Sequence, residues 1–203
     1  MDQLILKKKL ENGINYLKSK NFQKAIKCFE FLLKNPKTET TGLLHLGITS
    51  IEQKKEEKAL TFFNQILEKD NQHEHANINS GLIYFRQRKY EKSISYFEKV
   101  LDKNNKHLIA NLHKAIIDYK NLNLISALNH FKICEKINNN IPQLQNYLGN
   151  IYFKKNEINL AIEYYKTALL KNNDPRSKYN LSKCYFSKLL YKEALDLFEY
   201  RLS

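Results

Sequence analysis

Apolar residues recur along this chain at helical spacing, in stretches separated by short polar turns such as KSKN at 18–21 and FKKNE at 153–157. In YLGNIYFKKNEINLAIEYYKTALL, residues 147–170, two such stretches flank one turn, which predicts a helical hairpin. Gly149 falls inside the first stretch, where an exposed helix loses roughly 1 kcal/mol relative to alanine. The position is small throughout the chain: Gly13, Gly47, Gly81, Ala115, Gly149 and Ser182 follow one another at intervals of 34 residues and, at the last step, 33. Two more columns keep that register. Ala25, Ala59, Ser93, Ala127, Ala161 and Ala194 form one, and four residues after each stand Phe29, Phe63, Phe97, Phe131, Tyr165 and Phe198. Self-similarity at a fixed period of this length marks stacked supersecondary units.

Each unit is expected to be two antiparallel helices. The small column lets the two helix backbones approach, the alanine column does so from the second helix, and the aromatic fills the space towards the next hairpin. Unit boundaries carry Asn, Asp and Pro, which stop one helix and start the next: KNP at 34–36, KDNQ at 69–72, KNNK at 103–106, NNNIP at 138–142 and NNDP at 172–175. One hairpin alone leaves an apolar face bare, so neighbours must stack. The expectation is an all-α protein, a right-handed superhelical solenoid of about twelve antiparallel helices. It would form a single array over residues 1–203, with repeats at approximately 6–39, 40–73, 74–107, 108–141, 142–174 and 175–203.

Hydrophobic residues make up 42%, enough for a core, and scarce Gly 5 and Pro 3 with no alternating β pattern favour an all-helical chain. The opening MDQLILKKKLENG has three apolar residues ahead of its lysines, unlike a secretory leader, and no segment approaches the roughly 18 apolar residues of a membrane span. A cytoplasmic location is expected. Net charge of +13 raises nucleic acid or an acidic membrane as a partner. Yet lysine outnumbers arginine 30 to 4, alongside 24 asparagines and 19 isoleucines, the pattern of an A/T-rich coding sequence rather than of selection for bidentate phosphate contacts. A solvated lysine-rich face fits better, and nucleic acid is disfavoured.

Cys28, Cys134 and Cys184 are far apart and form no CxxC pair, so they read as small buried residues of a reducing compartment. The histidines of HEH at 73–75, with His45 and His113, do not converge as a metal site requires. There is no Gly-rich phosphate loop, GxSxG or HExxH, so no catalytic residue, metal or cofactor is expected and the chain reads as non-enzymatic.

These columns closely resemble the tetratricopeptide repeat family. Its 34-residue unit has a small residue at position 8, tyrosine at 11, an aromatic at 17, alanine at 20, an aromatic at 24 and a small or aliphatic residue at 27. The fifth unit here supplies Leu148, Gly149, Tyr152, Ala161, Tyr165 and Ala168, and the first supplies Gly13, Tyr16, Phe22, Ala25 and Phe29. The third adds Gly81, Tyr84, Tyr90 and Phe97, whereas the fourth departs most, with Ala115, Asp118 and Leu124. The resemblance covers essentially the whole chain.

It implies first helices lining a concave groove that holds a peptide or helix of a partner protein, through positions 2, 5, 6, 9, 12 and 13. Positions 5 and 9 read Leu10 and Ile14, Leu44 and Ile48, Ile78 and Leu82, Leu112 and Ile116, then Asn146 and Asn150, then Tyr179 and Lys183. An aliphatic stripe therefore turns polar. Phe85, Tyr119, Phe153 and Phe186 at position 12 border it, and Lys18, Arg86, Lys120 and Lys154 at position 13 would rim it with positive charge. The family's carboxylate clamp needs lysine and asparagine at positions 5 and 9; only Asn150 with Asn180 matches part of it, and Asn146 stands where lysine is needed.

The implied function is a protein-interaction scaffold, adaptor or assembly factor that binds the apolar face of an amphipathic segment. Alternatives are aliphatics that simply bury one another, a basic repeat that binds RNA or ribonucleoprotein, and a regulatory fragment of a larger protein. LFEYRL at 197–202 leaves the last helix uncovered, which makes self-association through the C-terminal end a further expectation.

Overall fold

A computed structural model of the chain describes residues 2–141, 143–172 and 175–199. Among these are twelve α-helices and no strand. Contacts divide the chain into two compact units, Met1–Asn105 and Lys106–Ser203. Unit one holds α1 (Gln3–Lys18), α2 (Phe22–Leu32), α3 (Pro36–Glu52), α4 (Glu56–Lys69), α5 (Glu74–Arg86) and α6 (Tyr90–Lys103). Unit two holds α7 (Leu108–Lys120), α8 (Leu124–Ile137), α9 (Leu144–Lys154), α10 (Ile158–Asn172), α11 (Pro175–Ser187) and α12 (Tyr191–Glu199). Helices pair in chain order as three hairpins per unit. Within unit one α2 packs on α3 and α4 on α5; within unit two α8 packs on α9 and α10 on α11.

The repeating columns explain the hairpin. A Cβ built on Gly13, Gly47, Gly81 or Gly149 would lie 2.5, 2.3, 2.7 and 2.7 Å from the Cε1 atom of Phe29, Phe63, Phe97 and Tyr165 respectively. Each ring comes from the second helix of the same hairpin, so the small residue makes room for a ring edge. The alanine column brings the backbones close: Ser93, which replaces alanine once, donates from Oγ to the Gly81 carbonyl at 2.8 Å. The ring faces reach the following hairpin, with Phe29 stacked on His45 at 4.9 Å and Phe131 on Tyr147 at 5.0 Å. All five described rings of the column are buried; the Phe198 side chain lies outside the described residues.

Helix starts follow the turn chemistry only in part. Asn35 caps α3, its Oδ1 accepting from Lys37 N–H at 2.9 Å, with Pro36 as the first helical residue. At α5 and α7 the caps are instead His73 and His107, whose Nδ1 atoms accept from Ala76 and Ala110 N–H. Pro142, Asn173 and Asp174, expected at two boundaries, lie outside the described residues.

The turn inside each hairpin is the same closed motif. Asn21 N–H donates to Tyr16 O and Lys20 N–H to Leu17 O, and the first of these bonds recurs as Lys55 to Ser50, Lys89 to Tyr84, Asn123 to Asp118, Glu157 to Tyr152 and Leu190 to Tyr185. The residue at its apex is left-handed each time: Lys20, Lys54, Arg88, Leu122, Asn156 and Leu189 have φ between 57 and 64°. Glycine occupies none of these positions.

Candidate functional site

In unit one the first helices α1, α3 and α5 lie side by side. Leu10 and Ile14 on α1, Leu44 and Ile48 on α3, and Leu82 and Phe85 on α5 are each half-buried, while Ile78 is only 6% exposed and belongs to the core. Leu10 and Ile14 rest on the cluster of Leu6, Ala25, Phe29, Leu32 and Leu46, and Leu44 rests on the cluster around Phe63. The aliphatics therefore spend part of their surface on the fold and keep part for solvent.

An open depression of about 990 Å³ lies between α1 and the start of α3. Leu4, Leu6, Leu10 and Leu32 give it an apolar floor, and Lys7 and Lys37 stand at its sides. Of the stripe read from the sequence only Leu10 lines it. Leu4 and Leu6 were not singled out by the repeat register because they precede its first small column, although the run Leu4, Ile5, Leu6 was visible.

In unit two Leu112, Ile116 and Tyr119 on α7 are half-buried against the cluster of Ala115, Leu144 and Leu148. The Tyr119 ring meets Tyr147 edge-on at 5.5 Å. Farther along, the stripe becomes an amide network. Asn180 Nδ2 donates to Asn146 Oδ1 and Asn150 Oδ1, both at 3.0 Å, and Tyr165 O–H donates to Asn150 Oδ1 at 2.7 Å. Burial holds the Tyr165 phenol far above its ordinary value, so it stays a donor. These asparagines, with Gln143, Tyr147 and Arg176, line a cavity of about 100 Å³. Phe153 is half-buried, Tyr179 and Phe186 are exposed, and the Lys183 ammonium sits 4.7 Å from the Tyr179 ring centre.

The basic rim is uneven. Lys18 and Lys120 are exposed, and Lys154 lies 6.0 Å from the Tyr119 ring centre. Arg86 is matched by acid: its Nε donates to Glu56 Oε1 at 2.8 Å, and that hydrogen bond holds the Glu56 carboxyl below its ordinary range.

The histidines are dispersed. His45 is held below its ordinary pKa by burial, and its buried Nδ1 has no hydrogen-bond partner. Burial also lowers His113, opposed by the Ile109 carbonyl. Among the described residues no group of His, Cys, Asp or Glu could hold a metal ion. Burial pushes the Cys134 and Cys184 thiols up to about 11, which keeps them protonated. No helix of the described residues is long and apolar enough to cross a membrane. The C-terminal stretch from Tyr200, where self-association was expected, lies outside the described residues.

Residues 74–107 match the tetratricopeptide repeat family, as do residues 148–202. No curated protein sequence matches the chain. Among solved structures, Pseudomonas aeruginosa PilF is similar with a TM-score of 0.78 at 14% identity, over 95% of this chain and 88% of that one. YrrB, described as a TPR protein with an unusual peptide-binding site, gives a TM-score of 0.76 at 17% identity, over 84% of this chain and 89% of its own. PilW, described as a widely conserved type IV pilus biogenesis factor, gives 0.73 at 19% identity, over 97% and 91%. At such identities the likeness is one of fold.

Proposed function

The chain is a tetratricopeptide repeat protein, and we propose that it is a non-catalytic interaction scaffold whose first helices bind an apolar or amphipathic segment of a partner protein. The observation that carries this reading is in unit one: half-buried aliphatics on three adjacent first helices, continued by an open apolar depression flanked by lysines. The peptide-binding site named for YrrB, on the same fold, agrees with it.

The expected strength is modest. If a ligand covered the remaining half of five aliphatic side chains, at roughly 0.75 kcal/mol each, the gross gain would be about 4 kcal/mol. Ordering costs leave little of that, so flanking polar and charged contacts must supply most of the affinity. Lys7 and Lys37 at the depression favour acidic residues beside the apolar face.

An array of amphipathic and scrambled peptides tests the reading. Wild type should retain amphipathic peptides, and Leu10→Asp with Ile48→Asp should weaken them about tenfold or more while keeping its helical circular dichroism. Equal binding by the double variant would remove the groove from the function. Both substituted side chains are partly exposed, which favours retention of the fold.

A further inference from the structure

Two turn tips of unit two hold leucine where its backbone and its surroundings both disfavour it. Leu122 and Leu189 have φ of 64 and 59°, a region in which a Cβ crowds the neighbouring carbonyl. At the same place the other hairpins use Lys20, Lys54, Arg88 and Asn156, polar residues that are well hydrated at a tip. Leu122 is 66% exposed, Leu189 69%, and the adjacent Ile125 77%. Leucine here gains neither a favoured conformation nor burial within the described chain.

The three hairpin turns of unit two form a row. Lys154, at the end of α9, reaches the Tyr119 ring at the end of α7. Lys188, at the end of α11, donates from Nζ to Asn159 Oδ1 at the start of α10 at 2.7 Å. The order along that edge is an apolar tip, a basic tip with Lys154 and Lys155, and a second apolar tip. The Lys155–Glu157 pair, at 2.5 Å, is neutral as a unit, so the net charge of this edge comes from the exposed Lys154, Lys120 and Lys188. Unit two as a whole carries fifteen Lys and Arg against eight Asp and Glu.

We propose that this edge docks peripherally on an anionic lipid surface, with Leu122, Ile125 and Leu189 entering the interface and Lys120, Lys154 and Lys188 meeting phosphates. The choice of lipid follows from shape and charge. Neighbouring first helices are roughly 10 Å apart, so the leucine tips stand on the order of 20 Å from each other with cations between them. A protein partner would need two pockets at that spacing and anions between; a bilayer accepts isolated apolar wedges anywhere and supplies the anions itself. A small insertion and a basic patch are each marginal, and together they suffice for reversible docking.

The test is co-sedimentation of the full chain with phosphatidylcholine vesicles, with or without about one third phosphatidylserine. Wild type should sediment with the anionic vesicles and be released as salt rises. Leu122→Asn with Leu189→Asn should partition about tenfold less. Asparagine tolerates the left-handed backbone, so the variant keeps its fold, as circular dichroism would verify. Absence of binding to anionic vesicles would overturn the proposal. So would unchanged binding of the double variant, which would reduce the effect to general lysine adsorption. A wild-type dimer that the same substitutions dissociate in light scattering, without vesicle binding, would assign the tips to a second copy instead.

Discussion

Glycine at position 81 leaves room for the buried Phe97 ring, because a Cβ there would lie 2.7 Å from a ring carbon and the ring would have to shift. Gly81→Leu should therefore destabilise the protein by about 1 to 3 kcal/mol, measured as a lower midpoint in urea unfolding; an unchanged midpoint would contradict the ring-on-glycine packing. His45 has the opposite kind of neighbour problem. It is stacked on Phe29, and burial keeps its imidazole below the ordinary value of 6.5. The folded state thus favours the neutral ring, whereas the unfolded chain takes up a proton near that value. Its contribution is complete above about pH 6.5 and falls as pH drops below it. Thermal melting should be lower at about pH 5 than at pH 7, and His45→Phe should lose part of that difference while keeping a ring against Phe29. An identical pH dependence in the variant would show that His45 does not titrate on unfolding. Part of the sensitivity remains in any case, since burial also lowers His73 and His113.

The hairpin was legible because its three columns hold register over six units, and a 34-residue period with helical apolar spacing on both sides of a short turn fits a repeated pair of helices. The turn that joins the two helices was legible as a turn, but not in its conformation. Left-handed apices are read from glycine or asparagine, and five of these six are lysine, arginine or leucine. The closing hydrogen bonds and the helix packing impose the conformation on whatever residue stands there. The histidine caps of α5 and α7 escaped for a similar reason, since an imidazole acceptor is outside the usual set of capping side chains. Because the apex is strained, Leu122→Asn should raise stability by about 0.5 to 1 kcal/mol in urea unfolding. A loss of stability would mean that the leucine packs in solution against something the fold alone does not supply.

The proposed binding face was legible as a list of positions and less so as a surface. Repeat register placed Leu10, Ile14, Leu44, Ile48 and Leu82 on adjacent first helices, but it could not say how much of each the neighbouring helices would cover. Ile78 shares that register and is consumed by the core, so charging it would test stability rather than recognition. Asn146 and Asn150 were visible as a break in the stripe; their joint engagement by Asn180, with Tyr165 behind, needed the fold to bring α9, α10 and α11 together. Net charge was equally ambiguous, because a total of +13 does not distinguish Arg86, held by Glu56, from the exposed Lys18. The proposed role of the apolar first-helix face of unit one is most directly tested by affinity capture from native lysate. Wild type should retain a partner protein that the folded Leu10→Asp, Ile48→Asp variant loses; retention of the same proteins by both would contradict recognition through that face.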